Sequence, residues 1–166
     1  MRSQCLRDAE SRTLAETGEC VIERPVKPQP WMYESGQLVW EYGTGIEEIR
    51  KQMLEHCPLG QPGEQRWCRE TWMLYDLLVD GITRKPDRYR ITYKARKDGY
   101  ATLTQWLSSP TALKAMETGY MAEGLWRSPV TMPRWASRFT VKVLSTEAIQ
   151  RDGVWYWTAR VRRVEV

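Results

Sequence analysis

Residues 139–164 read FTVKVLSTEAIQRDGVWYWTARVRRV, and this stretch decides the fold class. Apolar and polar residues alternate on both sides of Asp152-Gly153, a dipeptide that is typical of a two-residue hairpin turn. Because successive side chains of a strand point to opposite faces, this period of two predicts an antiparallel hairpin with one buried face. In the second strand that face carries Trp155, Trp157, Ala159, Val161 and Arg163.

Helical patterns accompany these strands. Apolar residues recur at helical spacing over 46–54, which predicts an amphipathic helix there. A weaker helical pattern over 2–17 ends at Gly18, since glycine commonly follows the last turn of a helix. Two further runs, 66–72 and 90–95, are predicted to be strands. The mixture of helices and strands predicts the α+β class.

The length of 166 residues fits one domain, since a single core normally serves about 100–200 residues. We therefore expect a single domain over 1–166. Residues 1–22 are expected to form a divergent N-terminal helical segment. The core then occupies 23–166 and carries a helical insertion around 101–125.

The composition argues against several classes of protein. Four cysteines without a Cys-x-x-Cys pair and a single histidine lack the spacing of a zinc site. No apolar run approaches the roughly 18–20 residues of a membrane span. Charged residues stand near the start, where a secretory signal would be apolar. We therefore expect a reduced, cytoplasmic protein without a metal or a cofactor.

The aromatic content is unusual, with nine Trp and eight Tyr but one Phe. Trp and Tyr combine a large apolar body with a polar edge, so they suit half-exposed stacking surfaces as well as cores. The formal net charge of +4 is compatible with a nucleic-acid partner.

Four blocks of the sequence carry a resemblance to a known family. They are RPVKPQP at 24–30, CPLGQPGE at 57–64 with WCRETW at 67–72, WRSP at 126–129 with MPRWASR at 132–138, and the aromatic and basic strand at 155–163. With these blocks the chain resembles the ASCH-domain proteins of tailed phages and prophages. The resemblance implies a PUA-like fold, a small curved β-barrel with flanking helices that is similar to RNA-binding domains.

Two departures from that family concern catalysis. The family pattern Gly-x-Lys-x-x-Thr-x-Arg is unmatched, because Thr17, Glu19 and Ile22 stand at the Gly, Lys and Thr positions when Arg24 is aligned to the final Arg. An acidic helical region of the phage relatives is also missing between the last two strands. Some small relatives hydrolyse acetylated cytidine with that Lys and Thr and a later Glu. The resemblance therefore implies a shortened, catalytically degenerate member, in which Glu70 is a weak catalytic candidate or an ion-pair partner.

The predicted nucleic-acid-binding residues are basic and aromatic side chains within or beside these blocks. Arg and Lys contact phosphates through charge-assisted hydrogen bonds, and exposed indoles stack on bases. We predict that they meet on one solvent-exposed concave surface: Arg24, Lys27, Arg66, Trp67, Arg69, Trp126, Arg127, Arg134, Trp135 and Arg138. In the alternative interpretation, Trp135 is buried and Arg138 is salt-bridged, so that this segment braces the barrel.

The leading functional hypothesis is a phage-encoded module that binds RNA or single-stranded DNA without catalysis. One alternative is a phage protein that inhibits a host protein such as a defence nuclease, because Trp, Tyr and Arg dominate protein interfaces. A second alternative is a residual hydrolase that acts on a modified nucleoside or on RNA.

A further basic pair, Arg160 and Arg162, is interpreted as protection of a sheet edge against aggregation.

Overall fold

The structure is a computed structural model that describes residues 1–32, 36–40, 43–79, 83–95, 101–107 and 126–164. The described chain contains two α-helices and eleven strands. In chain order they are β1 (Arg2–Cys5), α1 (Asp8–Thr17), β2 (Glu19–Pro25), β3 (Trp31–Met32), β4 (Leu38–Trp40), β5 (Gly43–Thr44), α2 (Ile46–Glu55), β6 (Gln65–Arg69), β7 (Trp72–Val79), β8 (Thr83–Tyr93), β9 (Ala101–Leu107), β10 (Thr140–Arg151) and β11 (Val154–Val164). The predicted α+β class is confirmed.

The described strands form three sheets. One has five strands in the order β1, β6, β10, β11, β2, and the other two have the orders β3, β4, β5 and β7, β8, β9. A barrel requires the two outer strands of a sheet to pair with each other. In the part of the chain that the structure describes, the outer strands do not pair, so the sheets are open and the predicted barrel closure is wrong there.

Backbone contacts divide the chain into two compact units. Unit 1 comprises Met1–Arg2, Thr13–Arg66 and Thr140–Val166. Unit 2 comprises Ser3–Arg12 and Trp67–Phe139. The expectation of a single domain over 1–166 stays a prediction.

The C-terminal hairpin of unit 1 is confirmed. β10 and β11 pair antiparallel from Thr140 opposite Val164 to Arg151 opposite Val154. Asp152 and Gly153 have φ angles of 51° and 78°, which are the positive values that a tight hairpin turn requires. On β11, the alternate side chains Trp155, Trp157, Ala159 and Val161 are buried as predicted, while Arg163 at the end is half-buried.

β11 is an internal strand of its sheet. On the side away from β10 it pairs with β2, from Tyr156 opposite Pro25 to Arg162 opposite Glu19. Both edges of β11 are therefore hydrogen-bonded, and the interpretation of Arg160 and Arg162 as protection of a sheet edge is wrong.

The two helices lie close to their predicted positions. α2 confirms the helix predicted over 46–54, and its Ile49 and Met53 are buried. The indole of Trp157 donates a hydrogen bond of 2.9 Å to the Met53 carbonyl oxygen. α1 is shorter than predicted because Arg2–Cys5 form a strand, and it ends before Gly18 at a φ of 78°.

One strand prediction and one helix prediction need correction. The strand expected over 66–72 is interrupted at Glu70 and Thr71, which separate β6 from β7. Ala101–Leu107 form β9, which pairs with β8 at Ala101 opposite Tyr93, so the predicted helical insertion does not include these residues. The rest of that prediction, 108–125, lies outside the described residues.

The turn geometry predicts the effect of Gly153→Ala. A side chain at a φ of 78° is strained, since the left-handed region costs a non-glycine residue about 1–2 kcal/mol. We expect the free energy of unfolding to fall by that amount in urea titrations followed by Trp fluorescence. The control Gln150→Ala, at an exposed strand position two residues before the turn, is expected to change it by less than about 0.5 kcal/mol. Equal losses in the two variants would contradict the turn assignment.

Candidate functional site

A buried ion pair lies between the ends of two predicted site blocks in unit 2. Glu70 follows β6, and its side chain is 1% exposed. Its carboxylate accepts hydrogen bonds from Arg138 Nε at 2.8 Å and Arg138 Nη2 at 2.7 Å. The hydroxyl of Ser11, on α1, donates to the same carboxylate. Both oxygens of Glu70 are thus engaged inside the unit.

The rings around Arg138 complete this cluster. Its guanidinium carbon lies 4.6 Å from the ring centre of Tyr93 and 4.4 Å from that of Phe139. The Tyr93 hydroxyl donates to the Ala136 carbonyl oxygen at 2.5 Å. We call Ser11, Glu70, Tyr93 and Arg138 the ion-pair cluster.

Burial is the largest influence on the pKa of Glu70 and on that of Tyr93 in the ion-pair cluster. Loss of solvent raises the pKa of Glu70 above its ordinary value, the Arg138 guanidinium offsets part of this rise, and the charge of Asp8 adds to it. Burial likewise raises the pKa of Tyr93, and the neighbouring Glu70 carboxylate raises it further. Tyr93 therefore stays a neutral hydrogen-bond donor throughout the physiological pH range.

Arg138 was predicted to contact nucleic acid, and the structure corrects this. Its side chain is 9% exposed and paired with Glu70. A guanidinium that is enclosed by two rings and bonded to a carboxylate has no face for a phosphate. The alternative interpretation, a salt-bridged Arg138 that braces the fold, describes its position.

Arg66 needs the same correction in unit 1. It is buried, its Nε lies 3.1 Å from a Glu64 oxygen, and its Nη1 donates to the Pro58 carbonyl oxygen at 2.6 Å. A Cβ atom built on Gly60 would lie 2.7 Å from Arg66 Nε, so glycine makes room for the guanidinium under the loop. Arg66 stabilises the turn-rich loop at 57–63.

The other predicted residues of unit 1 are Arg24 and Lys27. Arg24 is half-buried and its Nη1 donates to the Glu23 carbonyl oxygen at 2.7 Å. Lys27 is exposed. All remaining predicted site residues belong to unit 2.

In unit 2, the accessible part of the predicted set lies in residues 126–135, which we call the 126–135 segment. Trp126 is 37% exposed, and Arg134 is also exposed. Arg127 is half-buried and pairs with the start of β7, where its N–H donates to the Trp72 carbonyl oxygen at 2.8 Å. This pairing holds the segment against the sheet.

Aromatic contacts hold the 126–135 segment against the buried ring of Trp72. Trp72 is fully buried, its ring centre lies 6.1 Å from that of Trp135, and the two planes meet at 89°. The Arg127 guanidinium carbon lies 6.0 Å from the Trp72 ring centre. Trp135 is half-buried, so it connects the buried Trp72 to the surface.

Trp67 and Arg69 share one face of β6, since they are two residues apart on the strand. The Arg69 guanidinium carbon lies 4.9 Å from the ring centre of Trp67, and Arg69 Nη1 donates to the Val130 carbonyl oxygen at 3.0 Å. Trp67 is buried, so its predicted role as a stacking platform for a base is wrong. Arg69 covers its ring instead.

Two cations beside the 126–135 segment are not neutralised by acids. Among the described residues, neither Arg69 nor Arg134 forms an ion pair. Arg69 Nε is buried, and the described residues offer it no hydrogen-bond acceptor.

Several residues of the site escaped the sequence analysis. Ser11 and Tyr93 join the ion-pair cluster from α1 and β8, far along the chain from Glu70. The sulfur of Met132 accepts a hydrogen bond from the Glu70 backbone N–H at 3.1 Å. Only the Ser128-Pro129 start of a short 3₁₀ helix had a local signal, a hydroxyl cap followed by proline.

Metal-binding clusters and membrane-spanning helices are absent from the described ranges. Within the described ranges, no group of three or more His, Cys, Asp or Glu side chains is arranged to hold a metal ion. In those same ranges, no helix has the length and apolar character needed to cross a membrane.

Comparisons of the chain with protein families, with curated proteins and with solved structures find no match.

The burial of the ion pair predicts a large cost for Arg138→Met. This change leaves the Glu70 carboxylate buried without its cation, which typically costs about 3–5 kcal/mol of unfolding free energy. The matched control is Arg151→Met, which breaks the Arg151–Glu23 pair, where Arg151 Nη2 lies 2.6 Å from the Glu23 carboxylate and the side chains are 58% and 32% exposed. We expect the control to lose less than about 1 kcal/mol. Urea unfolding measures both, and similar losses would show that burial does not distinguish the pairs.

Proposed function

We propose that this chain is a non-catalytic nucleic-acid-binding module that holds single-stranded RNA or DNA on its 126–135 segment. The proposal includes a PUA-like fold of the ASCH type. It also includes an origin in a phage and a location of the protein in the host cytoplasm. Its support is the four sequence blocks and the sheet-rich α+β architecture.

The exposed indole of Trp126 carries the proposal. Among the described tryptophan side chains of unit 2, Trp67 and Trp72 are buried and Trp135 is half-buried, so Trp126 is the one with an exposed ring. Stacking of a base on such a ring is worth about 1–3 kcal/mol and tolerates any base. Trp126 thus offers a stacking platform that needs no particular sequence.

The charges around Trp126 suit a phosphate backbone. Arg127 is its direct neighbour, and Arg69 contacts the same segment through Val130. Arg134 is exposed at the far end of the segment and forms no ion pair in the described part of the chain. Guanidinium groups contact phosphate oxygens through paired hydrogen bonds. Exposed basic side chains on the same segment as an exposed indole are typical of single-strand binding sites.

The position of Glu70 favours binding over hydrolysis. A general base must reach a proton of the substrate. The Glu70 side chain is 1% exposed and its oxygens already accept from Ser11 and Arg138. This geometry supports a structural role for the carboxylate.

Trp126→Ala tests the proposal. We expect the affinity for a twelve-nucleotide single strand to fall roughly 5- to 150-fold, the equivalent of about 1–3 kcal/mol. Fluorescence anisotropy with labelled RNA and DNA measures it. The matched control is Trp31→Ala, which removes an indole of unit 1 that is 46% exposed and is expected to leave the affinity unchanged. If both variants bind as the unchanged chain does, the 126–135 segment is not the site.

A second candidate function is binding of a host protein, and the exposed strand β3 favours it. Among the described strands of its sheet in unit 1, β3 lies at the outer edge, and its two residues Trp31 and Met32 are 46% and 69% exposed. Trp and Met are enriched in protein interfaces, and an edge strand can pair with an extended partner segment.

The double change Trp31→Ala with Met32→Ala tests this second function. We expect it to lower the affinity for a stoichiometric partner captured from nuclease-treated host lysate by more than tenfold, because a buried Trp anchor is typical of interface hot spots. Trp126→Ala serves as the control and is expected to retain the partner. A partner that both variants retain equally would place the interface elsewhere.

A further inference from the structure

On strands β2, β10 and β11 of unit 1, the solvent-exposed face of the sheet carries a row of cations that lie opposite one another across the strands. Lys142 on β10 lies opposite Arg162 on β11, and Arg162 lies opposite Glu19 on β2. Arg160 lies two residues before Arg162 on the same strand, so it points to the same face. All three basic side chains are exposed. We call Lys142, Arg160 and Arg162 the basic sheet face.

Acidic residues neutralise this face only in part. The Arg162 Nε atom lies 2.6 Å from a Glu19 oxygen. In the portion of the chain that is described, Lys142 and Arg160 form no ion pair. The other acids of this face are Glu147, opposite Thr158, and Glu23, which pairs with Arg151. Unpaired positive charge is therefore concentrated toward the Thr140 end of β10.

The internal position of β11 makes this arrangement unusual. Like charges directly opposite each other on neighbouring strands are destabilising, and Lys142 faces Arg162 in this way. Lysine and arginine on an outer strand can be explained by protection against aggregation. This explanation fails for β11, because β10 and β2 pair with its two sides.

We propose that the basic sheet face binds the phosphodiester backbone of nucleic acid as a second contact surface. This rests on the proposed function and adds a site in unit 1 that contacts phosphates alone. Residues two apart on a strand are about 6.8 Å apart, and partners on neighbouring strands about 5 Å. Arg160, Arg162 and Lys142 thus form a compact triangle that can contact consecutive phosphates of one strand.

The neighbours of these cations favour nucleic acid over an acidic protein. Ser145 lies opposite Arg160, and Thr158 lies two residues before Arg160, so hydroxyl groups flank the positive charge. Hydroxyls and guanidinium groups are the usual donors to phosphate oxygens. Protein interfaces have an apolar centre, whereas the exposed apolar residue beside these cations is Val21, opposite Arg160. Interfaces with nucleic acid are polar and positively charged.

The double change Lys142→Gln with Arg160→Gln tests the inference. Each phosphate contact with a single strand contributes about 0.7 to the slope of log affinity against log salt concentration. We expect the double variant to lower the magnitude of this slope by about 1.4 for a twenty-nucleotide deoxythymidine strand. Lys142→Gln alone is expected to lower it by about 0.7. Anisotropy titrations at several salt concentrations measure the slopes, and thermal unfolding confirms that both variants are folded.

The matched control removes two exposed cations elsewhere, with Arg7→Gln and Lys51→Gln. It changes the net charge by the same amount, so equal slopes in the control and the double variant overturn the inference. Binding of a polyglutamate peptide that depends on Lys142 and Arg160, with no change in the deoxythymidine slope, overturns it in favour of an acidic protein.

The two proposed sites fail in distinguishable ways. If the double variant and the control have equal slopes while Trp126→Ala weakens binding, the basic sheet face is overturned and the proposed function stands. If the double variant has a reduced slope while Trp126→Ala binds with full affinity, the basic sheet face is supported and the site on the 126–135 segment is overturned. No binding of the strand by the unchanged chain at low salt overturns both.

Discussion

The contact between Arg138 and Glu70 holds unit 2 together at the point where three distant parts of its chain meet. Ser11 reaches it from α1, Glu70 from the link between β6 and β7, and Arg138 from the end of the 126–138 stretch. Two charges in a dry interior are tolerated only when they are paired and hydrogen-bonded, so the arrangement allows little displacement of any partner. The stretch that ends at Arg138 is therefore fastened at one end by this ion pair. At the other end, the backbone pairing of Arg127 with Trp72 fastens it.

The arginines of the chain fall into two groups, according to whether their guanidinium is paired inside the protein or exposed to solvent. Arg66 and Arg138 are buried and bonded to carboxylates, so their charge is used inside the protein. Arg134 and Arg160 are exposed and unpaired among the described residues, so their charge is available to a partner. Composition and spacing treat Arg66, Arg134 and Arg138 alike. The difference arises from whether an acid lies next to the guanidinium in the fold, and for Arg138 that acid is 68 residues away in the sequence.

The same distinction applies to the tryptophans. Trp67, Trp72, Trp155 and Trp157 pack in the interior, whereas Trp31 and Trp126 present their rings to solvent. Burial of a large indole stabilises the core, and an exposed indole is available for stacking or docking. A high tryptophan content is therefore explained mainly by packing in this chain. The functional argument depends on the few exposed rings and on the cations beside them.

The sequence by itself determined the local elements of this protein. The alternating pattern around Asp152-Gly153 predicted the hairpin, and the spacing of Ile49 and Met53 predicted α2, because both depend on residues that are near each other in the chain. Only the tertiary structure decided that β11 is internal, that the described sheets are open and that Arg138 pairs with Glu70. These properties arise from contacts between residues far apart in sequence, such as Glu70 and Arg138 with a separation of 68 residues. A one-dimensional pattern contains the preference of each residue for burial or exposure, but not the identity of the neighbour that satisfies it.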